Sequence, residues 1–148
     1  MVMQFNEEQS IKAAADLLEK LVSVNFCFVG SYNLFLQGIE IVPHDIDLLT
    51  DDEGIDKISF IYDAPVKKEE GREYKEVEFF VDGIKIHVVS NQGSILLPES
   101  FDNEVILVEK NKLKIPCISL SAELLFYKKC NREKDKQKVE LIEKFLKK

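Results

Sequence analysis

Apolar and polar residues alternate along this chain with two periods, one typical of helices and the other typical of strands. Apolar residues recur at helical spacing over residues 7–22, just after the candidate capping pair Asn6 and Gln9. The apolar residues 24–29 predict a buried strand, and residues 32–37 predict a short helix. The first forty residues therefore indicate a helix, a strand and a second helix.

Strand patterns dominate the middle of the chain. Asp82-Gly83 separates two apolar runs and predicts a two-residue β-hairpin. Asp51 to Gly54 has the composition of a turn. The remaining predicted elements are a strand at 45–49, an amphipathic stretch at 55–62, hairpin strands at 77–81 and 84–89, a second hairpin from 105–108 and 113–116 that turns at 109–111, a helix capped by Ser121 that runs to 129, and a helix at 133–145.

Length and composition indicate one soluble globular domain over residues 1–148. Hydrophobic residues make up 45% of the 148 residues and charged residues 32%, so a real core is expected. No apolar run approaches the roughly 20 residues of a membrane span, which predicts a protein without a membrane-embedded part. The three cysteines are widely spaced without a CxxC pair, which indicates free thiols in a reducing cytoplasm.

Charge is distributed unevenly along the chain. The net charge is −7, but residues 128–148 contain nine basic and four acidic residues, which leaves a net charge of −12 on residues 1–127. Such a chain is a poor generic binder of nucleic acid, because duplex affinity depends on neutralising phosphates. The basic segment could still contact a triphosphate, or it could be a solvated lysine-rich helix face.

Two aspartates and a glycine-serine pair are the candidate chemistry. On a strand with Ile46 and Leu48 facing the core, Asp45 and Asp47 share the other face, ~7 Å apart at their Cα atoms. Two carboxylates so placed can hold divalent cations against a polyphosphate. Gly30-Ser31, directly before a predicted helix, can offer backbone N–H groups to phosphate. The combination indicates metal-dependent chemistry on a nucleotide.

These residues resemble the DNA polymerase β-like nucleotidyltransferase superfamily, in particular its small single-domain prokaryotic members related to abortive-infection nucleotidyltransferase toxins. The similarity extends in order over residues 24–146. It is carried by Val-Gly-Ser at 29–31, His-Asp-Ile-Asp-Leu at 44–48, Asp-Gly-Ile-Lys-Ile at 82–86, and Ile-Pro-Cys-Ile-Ser-Leu at 115–120 before a helix with Lys129 and Arg132. The resemblance implies an α/β fold of the α+β type, a mixed β-sheet flanked by helices.

The resemblance also implies a reaction and its participants. Gly30 and Ser31 would hold the phosphates of an NTP, expected to be ATP. Asp45 and Asp47 would bind Mg²⁺, and Lys129 with Arg132 would contact phosphate. A hydroxyl or amine of an acceptor would attack the α-phosphorus and release pyrophosphate. The acceptor could be a small molecule, an RNA end or a protein side chain, and a second subunit or partner protein could complete the site.

The chain departs from this pattern at its third carboxylate, where His87 stands. Oxygen ligands suit Mg²⁺ better than histidine nitrogen. If Asp82-Gly83 is a two-residue turn, Glu78 lies directly opposite His87 on the same face. We therefore expect Glu78, alone or together with His87, to supply the missing carboxylate.

Each signal also has a purely structural interpretation. Asp-x-Asp can be a solvated turn, Gly30 a tight turn, His87 a structural histidine, and Lys129 and Arg132 surface charges. Three hypotheses follow: an active Mg²⁺-dependent nucleotidyltransferase, a catalytically degenerate member that binds nucleotide or metal, and an interaction module such as one partner of a toxin–antitoxin pair.

Overall fold

A six-stranded mixed sheet forms the centre of the molecule, as described for residues 6–71, 74–91 and 101–148 of a computed structural model. The strands are β1 (Phe26–Val29), β2 (Ile46–Thr50), β3 (Glu76–Val81), β4 (Ile84–Ser90), β5 (Val105–Lys110) and β6 (Leu113–Ile118), and the helices are α1 (Glu7–Lys20), α2 (Gly30–Leu36), α3 (Asp52–Tyr62), α4 (Leu120–Cys130) and α5 (Glu133–Leu146).

The strand order is β3-β4-β2-β1-β6-β5. The central strand β2 pairs antiparallel with β1 and parallel with β4, and β1 pairs parallel with β6. The two outer pairs, β3 with β4 and β5 with β6, are antiparallel hairpins. The predicted α/β fold of the α+β type, with a mixed sheet and flanking helices, is confirmed.

The two faces of the sheet differ in what covers them. One face buries alternate residues such as Phe28, Leu48 and Ile86 against α1 and α3, which contribute Leu17 and Ile55. Full burial of each such side chain stabilises the fold by roughly 1.5–3 kcal/mol. The opposite face carries a smaller apolar cluster of Cys27, Leu49, Phe101 and Ile118. Polar side chains can therefore share this second face with apolar ones.

The helices α2, α4 and α5 form a third cluster at the side of the sheet. Leu34, Leu120 and Ile142 are buried together there, with Ile39 and Tyr127. Inside this packing, the Asn33 amide donates to the carbonyl of Ile118 at 3.1 Å, which ties α2 to the end of β6. The beginning of α4 is thereby fixed against the beginning of α2.

Most predicted elements are present, and several of their ends differ. α1 ends at Lys20 rather than at residue 22, and β1 begins at Phe26 rather than at residue 24. α2 begins two residues early, at Gly30. The predicted cap of α4 was wrong, because the hydroxyl of Ser119, not that of Ser121, accepts from the Ala122 N–H at 3.2 Å.

The predicted turn at residues 51–54 was also wrong, because α3 begins at Asp52. In the second hairpin the strand continues to Lys110, two residues into the predicted turn. Among the described residues, no helix has both the length and the apolar composition that crossing a bilayer requires.

The N-cap of α3 gives a stability prediction. The Asp51 carboxylate accepts from the Gly54 N–H at 2.6 Å and so satisfies one donor that the helix cannot pair internally. Asp51→Ala should lower the free energy of unfolding by about 1 kcal/mol in urea denaturation. Asp51→Asn retains an acceptor and should lose much less. Equal losses in both variants would contradict the capping role.

Candidate active site

The register of the central strands places the polar residues of the site side by side. Asp47 in β2 is the register partner of His87 in β4 and of Val29 at the end of β1. Asp45 lies just before β2, and both aspartates line a cavity of about 550 Å³ on the second face of the sheet. Burial and the charge of Asp47 raise the pKa of the Asp45 carboxyl, against the opposing effect of Lys85 and the histidines.

His87 bridges two carboxylates. Its Nδ1 lies 3.4 Å from Asp47 Oδ1, and its Nε2 lies 3.0 Å from Glu76 Oε1. The hydrogen bond to Asp47 raises the pKa of His87, burial opposes the rise, and the hydrogen bond to Glu76 adds to it. An imidazolium can donate from both nitrogens, so this arrangement favours the charged ring. His87 thus holds Asp47 and Glu76 in fixed positions.

The contacts of Glu78 differ from those expected. The predicted register is confirmed, since Glu78 pairs directly with His87 across the β3–β4 hairpin. The Glu78 carboxylate lies 3.6 Å from Lys85 Nζ, however, and Glu78 is not among the residues that line the cavity. Long side chains in an antiparallel pair also reach the diagonal neighbour two residues away. The carboxylate that contacts His87 is therefore that of Glu76, one step along the same face.

Gly30 turns the chain between β1 and α2 directly against Asp47. Its φ is +74°, a conformation that side chains disfavour, and a Cβ at this position would lie 2.5 Å from Asp47 Oδ2. The Gly30 N–H donates to Glu123 Oε1 at 2.5 Å. A glycine is thus required here both for the turn and for the approach of the aspartate.

Glu123 completes a row of polar groups that crosses the sheet. Its carboxylate is buried and also accepts from the Asn33 amide at 3.0 Å. Burial raises the pKa of Glu123 to about 7, while the hydrogen bonds from Asn33 and Gly30 oppose the rise. The row consists of Glu76, His87, Asp47, Gly30 and Glu123, with neighbouring members in contact across β3, β4, β2, the start of α2 and the start of α4.

The part of the cavity formed by α5 and the residue before it is basic, and we refer to it as the basic end. Arg132, Lys134 and Lys138 line it, next to Tyr127 and Cys130. Arg132 makes a bidentate ion pair with the buried Asp135: its Nε donates to Oδ2 at 2.6 Å and its Nη2 donates to Oδ1 at 3.1 Å. Lys129 is exposed on α4 and is not among the lining residues.

Of the residues that the sequence singled out, the structure gathers six in one cavity: Gly30, Ser31, Asp45, Asp47, His87 and Arg132. Sequence reasoning missed Glu76, Glu123, Lys134 and Lys138. Glu123 could have been found, because it falls at helical spacing with the apolar Leu120 and Tyr127. Nothing in the pattern distinguishes the two lysines from the many others in the basic segment.

The fold and this site define a class of protein. A Thermotoga maritima protein of known crystal structure, described as a nucleotidyltransferase by assignment only, is 26% identical in sequence to this chain. The two structures align with a TM-score of 0.76 over 97% of this chain and 96% of the other. The lincosamide antibiotic adenylyltransferase LnuA, with lincomycin bound, is 21% identical (TM-score 0.64, covering 95% of this chain and 98% of that one). ANT(2'')-Ia in complex with adenylyl-2''-tobramycin is 12% identical (TM-score 0.64, covering 95% and 90%). The chain has the nucleotidyltransferase fold.

The family follows from the sequence itself. The family model for aminoglycoside-2''-adenylyltransferase matches residues 10–142, so the chain belongs to this family of nucleotidyltransferases. No curated protein matches the chain significantly. The expected membership of the nucleotidyltransferase superfamily is confirmed, and the relation to abortive-infection toxins stays a prediction.

The buried Glu123 makes stability depend on pH. Its pKa rises from 4.5 to about 7 on folding, so its favourable contribution is complete below about pH 4.5 and is lost as the pH rises through about 7. Glu123→Gln keeps an acceptor for Gly30 but does not titrate. Between pH 4 and pH 8, the difference in unfolding free energy should shift by up to about 3 kcal/mol in favour of the variant.

The measurement is urea denaturation in EDTA at both pH values. Glu140→Gln, on an exposed part of α5, is the control and should show no such shift. A pH-independent difference between Glu123→Gln and the wild type would contradict the raised pKa.

Proposed function

We propose that this protein transfers AMP from ATP to a hydroxyl group of a small-molecule acceptor. The observation that carries the proposal is the pair Asp45 and Asp47 facing the Gly30-Ser31 turn, in a cavity with a basic end, within a chain of the adenylyltransferase family. Nucleotidyl transfer needs a polyphosphate held beside a cation. This cavity offers carboxylate ligands for the cation and basic groups and hydrogen-bond donors for the phosphates.

The aspartates suit a magnesium ion that arrives with the nucleotide. Among the described residues, no group of three or more His, Cys, Asp or Glu side chains is arranged to hold an ion. Mg²⁺ is commonly bound by one or two carboxylates together with substrate phosphates and water, so two carboxylates fit that need. Burial first, and then repulsion from Asp47, raise the pKa of the Asp45 carboxyl, and a bound cation would relieve that repulsion. When bound, Mg²⁺ would neutralise charge that develops on the phosphoryl oxygens.

The remaining groups can be assigned to the triphosphate. Ser31 lines the same cavity as the aspartates. Arg132, Lys134 and Lys138 supply positive charge at its basic end. The Gly30 N–H already donates to Glu123, so we infer that the phosphates rely more on Ser31 and the basic residues than on Gly30. Lys134 and Lys138 take the role that the sequence suggested for Lys129.

Glu76 is the base that we propose for the acceptor. The acceptor oxygen would attack the α-phosphorus, its proton would pass to the Glu76 carboxylate, and the bond to pyrophosphate would break. A base needs an orienting partner, and His87 holds Glu76 at 3.0 Å. His87 in place of a carboxylate is then compatible with catalysis, because the acidic group comes from the neighbouring strand.

The dimensions and lining of the cavity favour a small acceptor. Its volume of about 550 Å³ is in the range of small-molecule sites. Val29, Leu49, Val89, Ile118 and Phe126 give it an apolar wall beside the carboxylates. An acceptor with hydroxyl groups, an amine and an apolar part matches this lining, as the lincosamide lincomycin does; an aminoglycoside would match only the carboxylates.

The aspartates provide the first test. Asp45→Asn and Asp47→Asn should each lower pyrophosphate release from ATP by at least about a hundred-fold, since several kcal/mol of transition-state stabilisation would be lost. Acceptors for the assay are lincomycin, tobramycin and related compounds. Thermal unfolding would check that the variants remain folded.

Titration calorimetry with ATP, CTP, GTP and UTP, with and without Mg²⁺, would show the base preference. The absence of any binding would favour the degenerate or interaction-module hypothesis.

Two neighbouring glutamates provide a matched pair for the second test. Glu76→Gln should lower kcat by about a hundred-fold or more, because it removes the base while preserving the size of the side chain. Glu78→Gln changes the same chemical group two residues away, where it pairs with Lys85, and should leave kcat within about three-fold of the wild type. The reverse order of effects would return the role to Glu78.

A further inference from the structure

Tyr127 carries a polar atom that the packing leaves unsatisfied. The residue follows Glu123 by one turn of α4, lines the cavity and is 3% exposed. Within the part of the chain that the structure describes, its buried hydroxyl has no hydrogen-bond partner. Buried polar groups are nearly always paired, and an unpaired one costs about 1–3 kcal/mol of stability. Such a group calls for an explanation.

The surroundings of this hydroxyl keep it in the donor form. Burial raises the pKa of the Tyr127 phenol, and the nearby carboxylates of Glu123, Asp47 and Asp135 raise it further, with Arg132 opposing them. A protonated phenol donates one hydrogen bond and suits an acceptor oxygen. Lys138 Nζ lies 5.2 Å from the centre of the Tyr127 ring, so the donor stands at the basic end of the cavity.

We propose that the Tyr127 hydroxyl binds the nucleotide by donating a hydrogen bond to a non-bridging phosphate oxygen. This inference rests on the proposed function. The position fits a phosphate better than an acceptor hydroxyl, because Arg132, Lys134 and Lys138 line the same cavity and provide its positive charge. The unpaired hydroxyl is then a group whose partner arrives with the substrate.

Lys138 provides a positive charge beside the Tyr127 ring. Its ammonium lies against the Tyr127 ring, and its long side chain has several rotatable bonds. A phosphate that accepts from the Tyr127 hydroxyl is then within the range that the flexible Lys138 side chain can reach. Tyr127 and Lys138 would therefore bind the anion together.

Tyr127→Phe tests the assignment through two measurements with opposite expected signs. The variant should be as stable as the wild type or more stable in urea denaturation, since it removes an unpaired buried hydroxyl. Its affinity for MgATP and for inorganic tripolyphosphate should fall by about ten- to a hundred-fold in titration calorimetry, the effect of losing a hydrogen bond to a charged group.

Tyr62→Phe is the matched control. The Tyr62 hydroxyl donates to Asp16 at 3.0 Å between α3 and α1, and Tyr62 does not line the cavity. This variant should lose stability and bind both ligands as the wild type does. The two substitutions remove the same atom, so their opposite patterns separate a ligand-binding hydroxyl from a structural one.

Each other outcome overturns a defined part of the argument. If Tyr127→Phe is less stable than the wild type, the hydroxyl has a protein partner such as Glu123, and the inference fails. If the wild type binds MgATP and Tyr127→Phe binds it equally well, only the role of Tyr127 is wrong. If binding is unchanged and only the KM of the acceptor rises, the hydroxyl contacts the acceptor and the phosphate assignment fails. If the wild type binds neither probe, the proposed function fails together with this inference.

Discussion

The site depends on one close approach, that of Asp47 to the backbone of Gly30. A side chain at Gly30 would collide with the aspartate, and its φ of +74° is one that other residues rarely adopt. Because Gly30 begins α2 directly after β1 ends at Val29, this approach fixes the position of the helix relative to the central strand. It also leaves the Gly30 N–H pointing at Glu123, which ties α4 to the same place. The row of polar groups therefore connects five elements of secondary structure.

The sequence was most informative where one local rule decides the geometry. Asp82-Gly83 fixed the hairpin and its register, and the alternation around Ile46 and Leu48 fixed which face carries the aspartates. The sequence was least informative where one side chain could contact either of two neighbouring residues of the same type. Glu76 and Glu78 share one face of β3, and the contact to His87 is made on the diagonal, which the register alone does not specify.

Buried polar groups were the second limit on prediction. The burial of Glu123 arises from the meeting of α2, α4 and the end of β6, three segments far apart in the sequence. Tyr127 reads as a core aromatic by its spacing, and most of its ring is indeed packed in the third apolar cluster. Only the surroundings of its hydroxyl, set by α5, distinguish it from a core residue. Helical spacing places Glu123 and Tyr127 on the buried face of α4, but it does not specify which distant segments pack against that face.

These two groups, the Glu123 carboxyl and the Tyr127 hydroxyl, also lower the stability of the fold. Burying an ionisable carboxyl and leaving a buried hydroxyl unpaired both lower the stability of the fold, and a protein evolving for stability alone would replace them. Both line the cavity from α4, one turn apart, and they connect the row of polar groups with the basic residues of α5. The uneven charge of the sequence, −12 on residues 1–127 and positive beyond them, becomes in the fold a cavity with an acidic and a basic end. A nucleotide with its cation is a ligand that satisfies both ends at once, which is a physical reason for retaining costly groups at the boundary between them.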